Sequence, residues 1–246
     1  MSQEKSVEKD WKNVWRVEEM KEVEEDKPAS KLVAGFLSKY PKGSKVLDAG
    51  SGLGSWVFNW QKKGYEAYGV EIVSEAVGRS REYAGLKKLD CKFLVGDIRK
   101  MSFPDNFFDA VFSFGTVEHF DETFPAIQEL YRVTKNDGTC FITTPNVYSV
   151  RTFLTRPILN VLKNPRLGYQ GFEKSFTPLQ LAGMMKTAGF KELKHGIAPD
   201  GILLGDFYQF IPLVGKYIGF LPKKISLWVE SHQSKLGHTA YCAGVK

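Results

Sequence analysis

The chain has 246 residues, of which 43% are hydrophobic, and a formal net charge of +6. This length suits one large globular domain, or one domain with additions. An uninterrupted apolar run of about 18 residues is absent and the first ten residues are mostly polar, so neither a membrane-spanning helix nor a secretory leader is expected. The three cysteines are scattered without metal-ligand spacing, which predicts reduced thiols in a cytoplasmic protein and no metal site.

Helices are predicted for the first 40 residues. Trp11, Val14 and Trp15 have the i, i+3, i+4 spacing of an amphipathic helix. A second helical pattern covers 29–40, and Pro41 then turns the chain into the first strand. We therefore expect a helical cap over 1–40, which packs on the sheet edge or covers a ligand, and a main domain over 41–246.

A strand, a glycine-rich turn and a helix follow one another between residues 46 and 62. The turn has Asp48 at the end of the strand and then Gly50, Gly52 and Gly54. Glycine lets the backbone approach a ligand closely, and the start of the next helix directs N–H groups at that ligand. The unit therefore predicts a site for a nucleotide-type cofactor. A dinucleotide fingerprint would have another glycine where this chain has Ser55.

Two further predicted strands end in carboxylates. The stretch 67–72 ends at Glu71-Ile72, and the stretch 91–98 ends at Asp97-Ile98. A carboxylate suits a ribose because it is acceptor-only and can bind both vicinal hydroxyls. A solvent-exposed glutamate at a strand end is the alternative interpretation of Glu71.

The fourth and fifth predicted strands follow. Residues 103–113 indicate a loop that leads into strand four and ends at Ser113, and 138–146 indicate strand five. Glu118 and His119 lie shortly after strand four. Since ligands bind at the carboxyl ends of strands in open α/β sheets, these two side chains are expected near a ligand.

The C-terminal third is basic, with 13 basic and 5 acidic residues over 150–246. A helix is predicted from Thr177, which caps it and is followed by Pro178 at the first helical position. Strands six and seven are expected over 191–198 and 238–245, with insertions at about 150–175 and 199–237. The second insertion has three interpretations: an apolar lid over the acceptor, an interfacial amphipathic element, or a helical hairpin packed on the core.

In this order, the motifs between residues 45 and 146 resemble those of the class I S-adenosylmethionine-dependent methyltransferases. The resemblance is to the type 11 group, which includes small-molecule, quinone and sugar methyltransferases. It implies an α/β fold with a three-layer, doubly wound, seven-stranded mixed sheet, decorated with helices at the N- and C-terminal parts. The last strand would be antiparallel and inserted between strands five and six.

The resemblance also implies the cofactor, S-adenosylmethionine, which leaves as S-adenosylhomocysteine. Glu71 would accept from the ribose hydroxyls and Asp97 from the adenine amine, while the backbone N–H of Ile98 would reach the ring. The implied cofactor-binding residues are Asp48, Gly50, Gly52, Gly54, Glu71, Ile72, Asp97, Ile98 and Ser113.

Methyl transfer from this cofactor to an acceptor needs a general base only when the acceptor is a weakly acidic hydroxyl or a protonated amine. His119 is the candidate because a neutral imidazole titrates near the working pH. Its alternative role is to pack or orient the loop, and Glu118 is a second candidate base.

We expect a small-molecule or lipid-like acceptor, methylated on oxygen, with carbon and nitrogen as alternatives. Nucleic acid is not an expected partner, whereas peripheral membrane contact through 199–229 is one of the interpretations of the second insertion. The oligomeric state stays open. Two other functions remain: an NAD(P)-dependent oxidoreductase, against which Ser55 and Asp97 count, and a methyltransferase-like binding protein without turnover.

Overall fold

The structure is a computed structural model. It describes residues 8–9, 11–15, 18–149, 152, 156–157, 161, 172–198 and 237–246. Most of the insertion expected at about 150–175, almost all of that at 199–237, and the membrane contact expected through 199–229 lie outside the described residues. None of the helices within the described ranges has the length and apolar character needed to cross a membrane.

Helices and strands alternate along most of the described chain. Residues 11–15 are helical and precede the numbered elements. The elements are α1 (Pro28–Leu37), β1 (Lys45–Ala49), α2 (Ser55–Lys62), β2 (Glu66–Glu71), α3 (Ser74–Lys87), β3 (Lys92–Val95), β4 (Phe108–Phe114), a 3-10 helix (Val117–His119), α4 (Phe124–Val133), β5 (Thr134–Pro145), α5 (Pro178–Ala188), β6 (Lys191–Ile197) and β7 (Thr239–Val245).

The strands form one seven-stranded sheet in the order β3-β2-β1-β4-β5-β7-β6. The strands β1 to β5 pair in parallel, whereas β7 is antiparallel to both β5 and β6. The predicted fold is therefore confirmed, including the insertion of the last strand between strands five and six.

Two buried hydrophobic clusters lie on opposite faces of the sheet, and successive side chains of a strand belong to one or the other. On β1, Leu47 packs with residues of α4 and α5, while its neighbour Val46 packs with residues of α1, α2 and α3. Successive strand residues point to opposite faces, so both faces of this sheet need apolar side chains and both are covered by helices. The result is the expected three-layer arrangement.

Most element boundaries agree with the sequence to within a few residues, and the third strand is the clearest difference. It is limited to Lys92–Val95, so Asp97 and Ile98 lie in the loop after it and Cys91 lies just before it. The pairing with β2 ends at Glu71 opposite Val95. After a last bond from Gly96 N to Glu71 O, at 3.0 Å, β2 offers no further partner, because its own chain turns away into α3.

Gly54 holds the start of α2 against the sheet. It is the residue before the helix and adopts a left-handed conformation, with φ 83°. A Cβ at this position would lie 2.5 Å from Cζ of Phe93 on β3. A glycine is thus required for α2 to begin directly after the glycine-rich turn and still pack closely on the sheet.

We expect Gly54→Ala to lower the free energy of unfolding by about 2 kcal/mol or more. The left-handed conformation strains alanine, and the added methyl overlaps the Phe93 ring. Urea denaturation followed by circular dichroism measures the change.

Gly78→Ala is the matched control. Gly78 lies inside α3, and a Cβ there would have nothing within 4 Å. Alanine is the better helix former, so this variant should have a free energy of unfolding about 0.5–1 kcal/mol higher than the wild type. Equal changes in the free energy of unfolding for the two variants would contradict the packing role assigned to Gly54.

Candidate functional site

A cavity of about 300 Å³ lies where β1, β2, β3 and β4 end. The strand order reverses between β1 and β4, which is where ligands bind in open α/β sheets. Eight of the ten residues predicted from the sequence for binding or catalysis line this cavity: Asp48, Gly50, Gly52, Glu71, Ile72, Asp97, Ile98 and His119.

Gly54 and Ser113 are not among the cavity-lining residues. Gly54 serves the packing of α2, as described above. The hydroxyl of Ser113 is fully buried and donates to the carbonyl of Ala49 at 2.9 Å, so it joins the end of β4 to the end of β1. Both residues support the elements that form the site, although neither lines the cavity.

Glu71 ties the glycine-rich turn to the second strand. Its carboxylate is 5% exposed, and Oε2 accepts from Gly52 N at 2.9 Å while Oε1 accepts from Val73 N at 3.0 Å. Burial raises the pKa of Glu71, and the backbone N–H groups that it accepts from oppose that rise. The two bonds use about half of the lone-pair sites of an ionised carboxylate, which leaves sites for a ligand.

Asp48 is buried without a comparable partner. Its side chain is 2% exposed, and Oδ1 has no hydrogen-bond partner among the described residues. Burial, with a smaller contribution from Glu71, raises the pKa of Asp48 to about 8. A buried carboxyl with an unmet oxygen is costly, which makes it a candidate for contact with a ligand.

Asp97 is held by a residue that the sequence analysis did not single out. Arg99 Nε lies 3.1 and 3.0 Å from its two carboxylate oxygens, and Arg99 N donates to Oδ1 at 2.8 Å. The guanidinium also lies over the ring of Phe120, 4.5 Å from its centre. Asp97 therefore lines the cavity in an orientation that Arg99 fixes.

His119 is buried in the 3-10 helix after β4, and its ring is oriented by a backbone carbonyl. Nδ1 lies 2.7 Å from the carbonyl oxygen of Phe172. Since that oxygen can only accept, Nδ1 carries the proton and Nε2 keeps the lone pair. Burial lowers the pKa of His119, so the ring is neutral at pH 7.

The carbonyl that orients His119 belongs to a segment joined to the sheet by backbone bonds. Lys174 N donates to Glu118 O at 3.0 Å, and Phe176 N donates to Pro145 O at 2.9 Å. The Glu118 side chain itself is 1% exposed, does not line the cavity, and has a pKa raised well above its usual value by burial. Of the two candidate bases, only His119 reaches the cavity.

The N-terminal segment supplies one wall of the cavity. The rings of Trp11 and Trp15 stack 5.0 Å apart, and Trp11 meets the ring of His119 edge-on at 4.8 Å. Trp15 lies so close to Gly52 that a Cβ there would be 2.7 Å from the indole. The helical spacing of the two tryptophans was recognisable in the sequence, but not the surface on which they pack.

Three contacts anchor this segment to the main domain. Arg79 on α3 donates to the carbonyl oxygens of Trp15 and Glu18, and Ser55 Oγ donates to the carbonyl of Lys21 at 2.6 Å. Arg79 lies in the second turn of α3, and Ser55 is the first residue of α2, directly after the glycine-rich turn. The aromatic wall is therefore fixed relative to the carboxylates.

Comparison with known proteins agrees with this geometry. Residues 47–142 match the family model of the methyltransferase domain. The chain is 26% identical over 200 residues to a malonyl-[acyl-carrier protein] O-methyltransferase of Erwinia billingiae, covering 78% of this chain and 75% of that protein. It is 29% identical over 170 residues to a ubiquinone/menaquinone biosynthesis C-methyltransferase of Dinoroseobacter shibae, covering 61% of this chain and 68% of that protein.

Other curated relatives are matched over 21% to 42% of their own length. Among solved structures, phosphoethanolamine N-methyltransferase 2 of Haemonchus contortus, in complex with S-adenosylhomocysteine, superposes with a TM-score of 0.66 at 18% identity. That match covers 89% of this chain and 52% of the other, and at this identity it speaks for the fold alone.

The family match, the relatives and the sheet order lead to one conclusion. The chain therefore carries, over residues 47–142, a methyltransferase domain of the class I S-adenosylmethionine-dependent kind, a transferase domain whose cofactor is S-adenosylmethionine.

Proposed function

We propose that this protein transfers a methyl group to an oxygen atom of a small-molecule or lipid-like acceptor, with His119 as the general base. The observation that carries the proposal is the state of His119, a buried neutral imidazole at the cavity wall whose Nδ1 is engaged by Phe172 O. The only ring nitrogen left to accept a proton is Nε2. A weakly acidic hydroxyl is one of the two classes of acceptor that need such a base, the other being a protonated amine.

The described residues fit the cofactor. Gly50 and Gly52 line the cavity, Glu71 keeps lone pairs free for the ribose hydroxyls, and Asp48 presents an unmet buried carboxyl. We assign Asp97 and the backbone N–H of Ile98 to the adenine, and Gly50, Gly52 and Ile72 to the walls around the ligand. When bound, the cofactor supplies an already activated methyl group on sulfur.

The residues of this chain then have two tasks. The cavity walls, including Trp11 and Trp15, align the acceptor oxygen for an in-line displacement and exclude water, and alignment is the main source of rate in such a reaction. His119 takes the proton of the acceptor hydroxyl at Nε2 as the oxygen attacks. The segment around Phe172 keeps that nitrogen in the basic tautomer.

The relatives support a small-molecule or lipid-like acceptor, but they differ in the acceptor atom that is methylated. Those named above are an O-methyltransferase and a C-methyltransferase, and a further one, 31% identical over 133 residues and from Synechocystis sp., is a 2-methyl-6-phytyl-1,4-hydroquinone methyltransferase. Acyl and quinone-type molecules are therefore the first acceptors to offer. The membrane contact through 199–229 would suit the lipid-like members of this set and remains part of the proposal.

The test of function offers three acceptors to the purified protein with cofactor carrying a labelled methyl group. They are malonyl-[acyl-carrier protein], a prenylated hydroquinone and phosphoethanolamine, and mass spectrometry of any product locates the methyl. A methyl ether of the hydroquinone is the product expected with His119 as the base. A methyl ester of the malonyl group would support transfer to oxygen but not the role of His119, because that carboxylate is already ionised. Label on a ring carbon or on nitrogen contradicts the oxygen assignment. Cofactor binding without a product from any of the three would favour a binding protein without turnover.

Glu71→Ala should weaken the binding of S-adenosylhomocysteine on the order of tenfold or more, because the buried acceptor for the ribose hydroxyls is lost. Isothermal titration calorimetry measures the affinity, with NAD as the control ligand. Glu66→Ala is the control variant, since Glu66 lies at the opposite end of the same strand and pairs with Lys92. Unchanged affinity in a folded Glu71→Ala protein would remove Glu71 from the site.

His119→Asn should lower kcat about 10²- to 10⁴-fold and leave the affinity for S-adenosylhomocysteine nearly unchanged. The asparagine amide is able to donate to Phe172 O, as Nδ1 does, but it has no basic nitrogen. Because burial lowers the pKa of His119, wild-type kcat should fall as the ring becomes protonated, with the midpoint below the ordinary imidazole value of about 6.5. Wild-type turnover by the variant would exclude His119 as the base.

A further inference from the structure

The stretch 172–176 runs beside the 3-10 helix that carries His119. The carbonyl oxygen of Phe172 lies 2.7 Å from Nδ1 of His119, and Lys174 N donates to Glu118 O at 3.0 Å. Glu173 therefore stands between two residues that are both bonded to this helix. Its side chain is 9% exposed, so the stretch brings a carboxyl group near the imidazole in a largely buried region.

Arg156 accompanies this carboxyl group. Its Nη1 lies 3.8 Å from Oε1 of Glu173 and donates to Oγ of Ser175 at 2.7 Å. Glu173 and Ser175 are two residues apart, which is the spacing at which side chains of an extended chain lie on the same side. One guanidinium group can therefore hold both side chains, and a partly buried pair of this kind is screened by salt much less than a surface pair.

Several other titratable groups lie around His119. Burial raises the pKa of Glu118, its neighbour in the 3-10 helix, well above the usual value and so disfavours the charged form. The ammonium group of Lys174 donates to a backbone carbonyl, and Asp97, which lines the same cavity, is bound by Arg99. The remaining titratable side chains that line the cavity are Glu18, Glu19, Lys21, Asp48 and Glu71.

The two charges of the Glu173–Arg156 pair act on His119 in opposite directions. Burial lowers the pKa of His119, and the bond to the Phe172 carbonyl opposes that effect. In addition, Glu173 raises the pKa because a nearby negative charge favours the imidazolium form, whereas Arg156 lowers it because a nearby positive charge disfavours that form.

We propose that Arg156 and Glu173 are positioning residues for His119, which hold the stretch with the Phe172 carbonyl and place two balancing charges beside the imidazole. The inference rests on the proposed role of His119 as the base. A guanidinium group without the carboxylate would oppose transfer of the acceptor's proton to Nε2. A carboxylate without the guanidinium group would favour a ring that is protonated before the acceptor arrives.

Nuclear magnetic resonance of protein with ¹⁵N-labelled histidine rings tests this proposal without any acceptor. The chain has four histidines, and the signal that disappears in His119→Asn identifies this ring. A titration over the pH range in which the protein stays folded gives the midpoint for protonation of His119. Glu173→Gln should move this midpoint to lower pH and Arg156→Gln should move it to higher pH. The double variant should lie between the two single variants, because the two opposite effects are removed together.

Matched controls separate the charges of this pair from charge changes elsewhere. Glu66→Gln and Lys92→Gln remove the same kinds of charge from an ion pair at the starts of β2 and β3, which is the end of the sheet opposite the cavity. Both should leave the midpoint of His119 unchanged. Arg156→Lys keeps the positive charge and should restore most of the shift that Arg156→Gln causes.

A pair that only braced the backbone would move the midpoint in the same direction in both variants, or in neither, and either result would overturn the proposal. Arg156 is partly exposed, so Arg156→Gln should fold even if Glu173→Gln does not. An unchanged or lowered midpoint in Arg156→Gln alone also overturns the proposal. If the midpoints move in opposite directions but the pH dependence of kcat does not follow them, the pair acts as proposed and His119 is not the base.

Discussion

The pair of hydrogen bonds that Glu71 accepts from Gly52 N and Val73 N is the interaction on which the site depends. It fixes the glycine-rich turn after β1 to the end of β2, and so sets the position at which α2 begins. That position determines where Gly54 meets Phe93 and where Trp15 packs on Gly52. The cavity is the space that remains between these fixed parts.

The same arrangement places two carboxyl groups close together in a buried region. Parallel strands bring their carboxyl ends to one edge of the sheet, so acids at the ends of β1 and β2 become neighbours. Their burial raises the pKa of both groups, but only Glu71 has backbone donors to oppose the rise. The difference in donors gives the two acids different surroundings: Glu71 holds the turn, whereas Asp48 keeps an unpartnered buried oxygen.

The surroundings of His119 depend on a different kind of contact. His119 is held by the carbonyl of Phe172, which comes from a segment more than fifty residues away that is joined to β5 through Phe176. Burial keeps the ring neutral, and the carbonyl selects its tautomer. Methyl transfer to a hydroxyl would thus depend on a contact between two separate parts of the chain as well as on the cofactor pocket.

The sequence by itself indicated the strands and the cofactor edge of the sheet, because apolar strands, glycine spacing and acids at strand ends are local patterns. The strand order, with the last strand inserted between strands five and six, was implied by the resemblance to a known family. The sequence also predicted the start of α5, with Thr177 as the cap and Pro178 at the first helical position. Only the tertiary structure decided that Gly54 and Ser113 stand behind the cavity wall, that Arg99 orients Asp97, and that Trp11 reaches His119. Those outcomes depend on which distant side chains meet, and neither periodicity nor spacing encodes contacts between residues separated by so much chain.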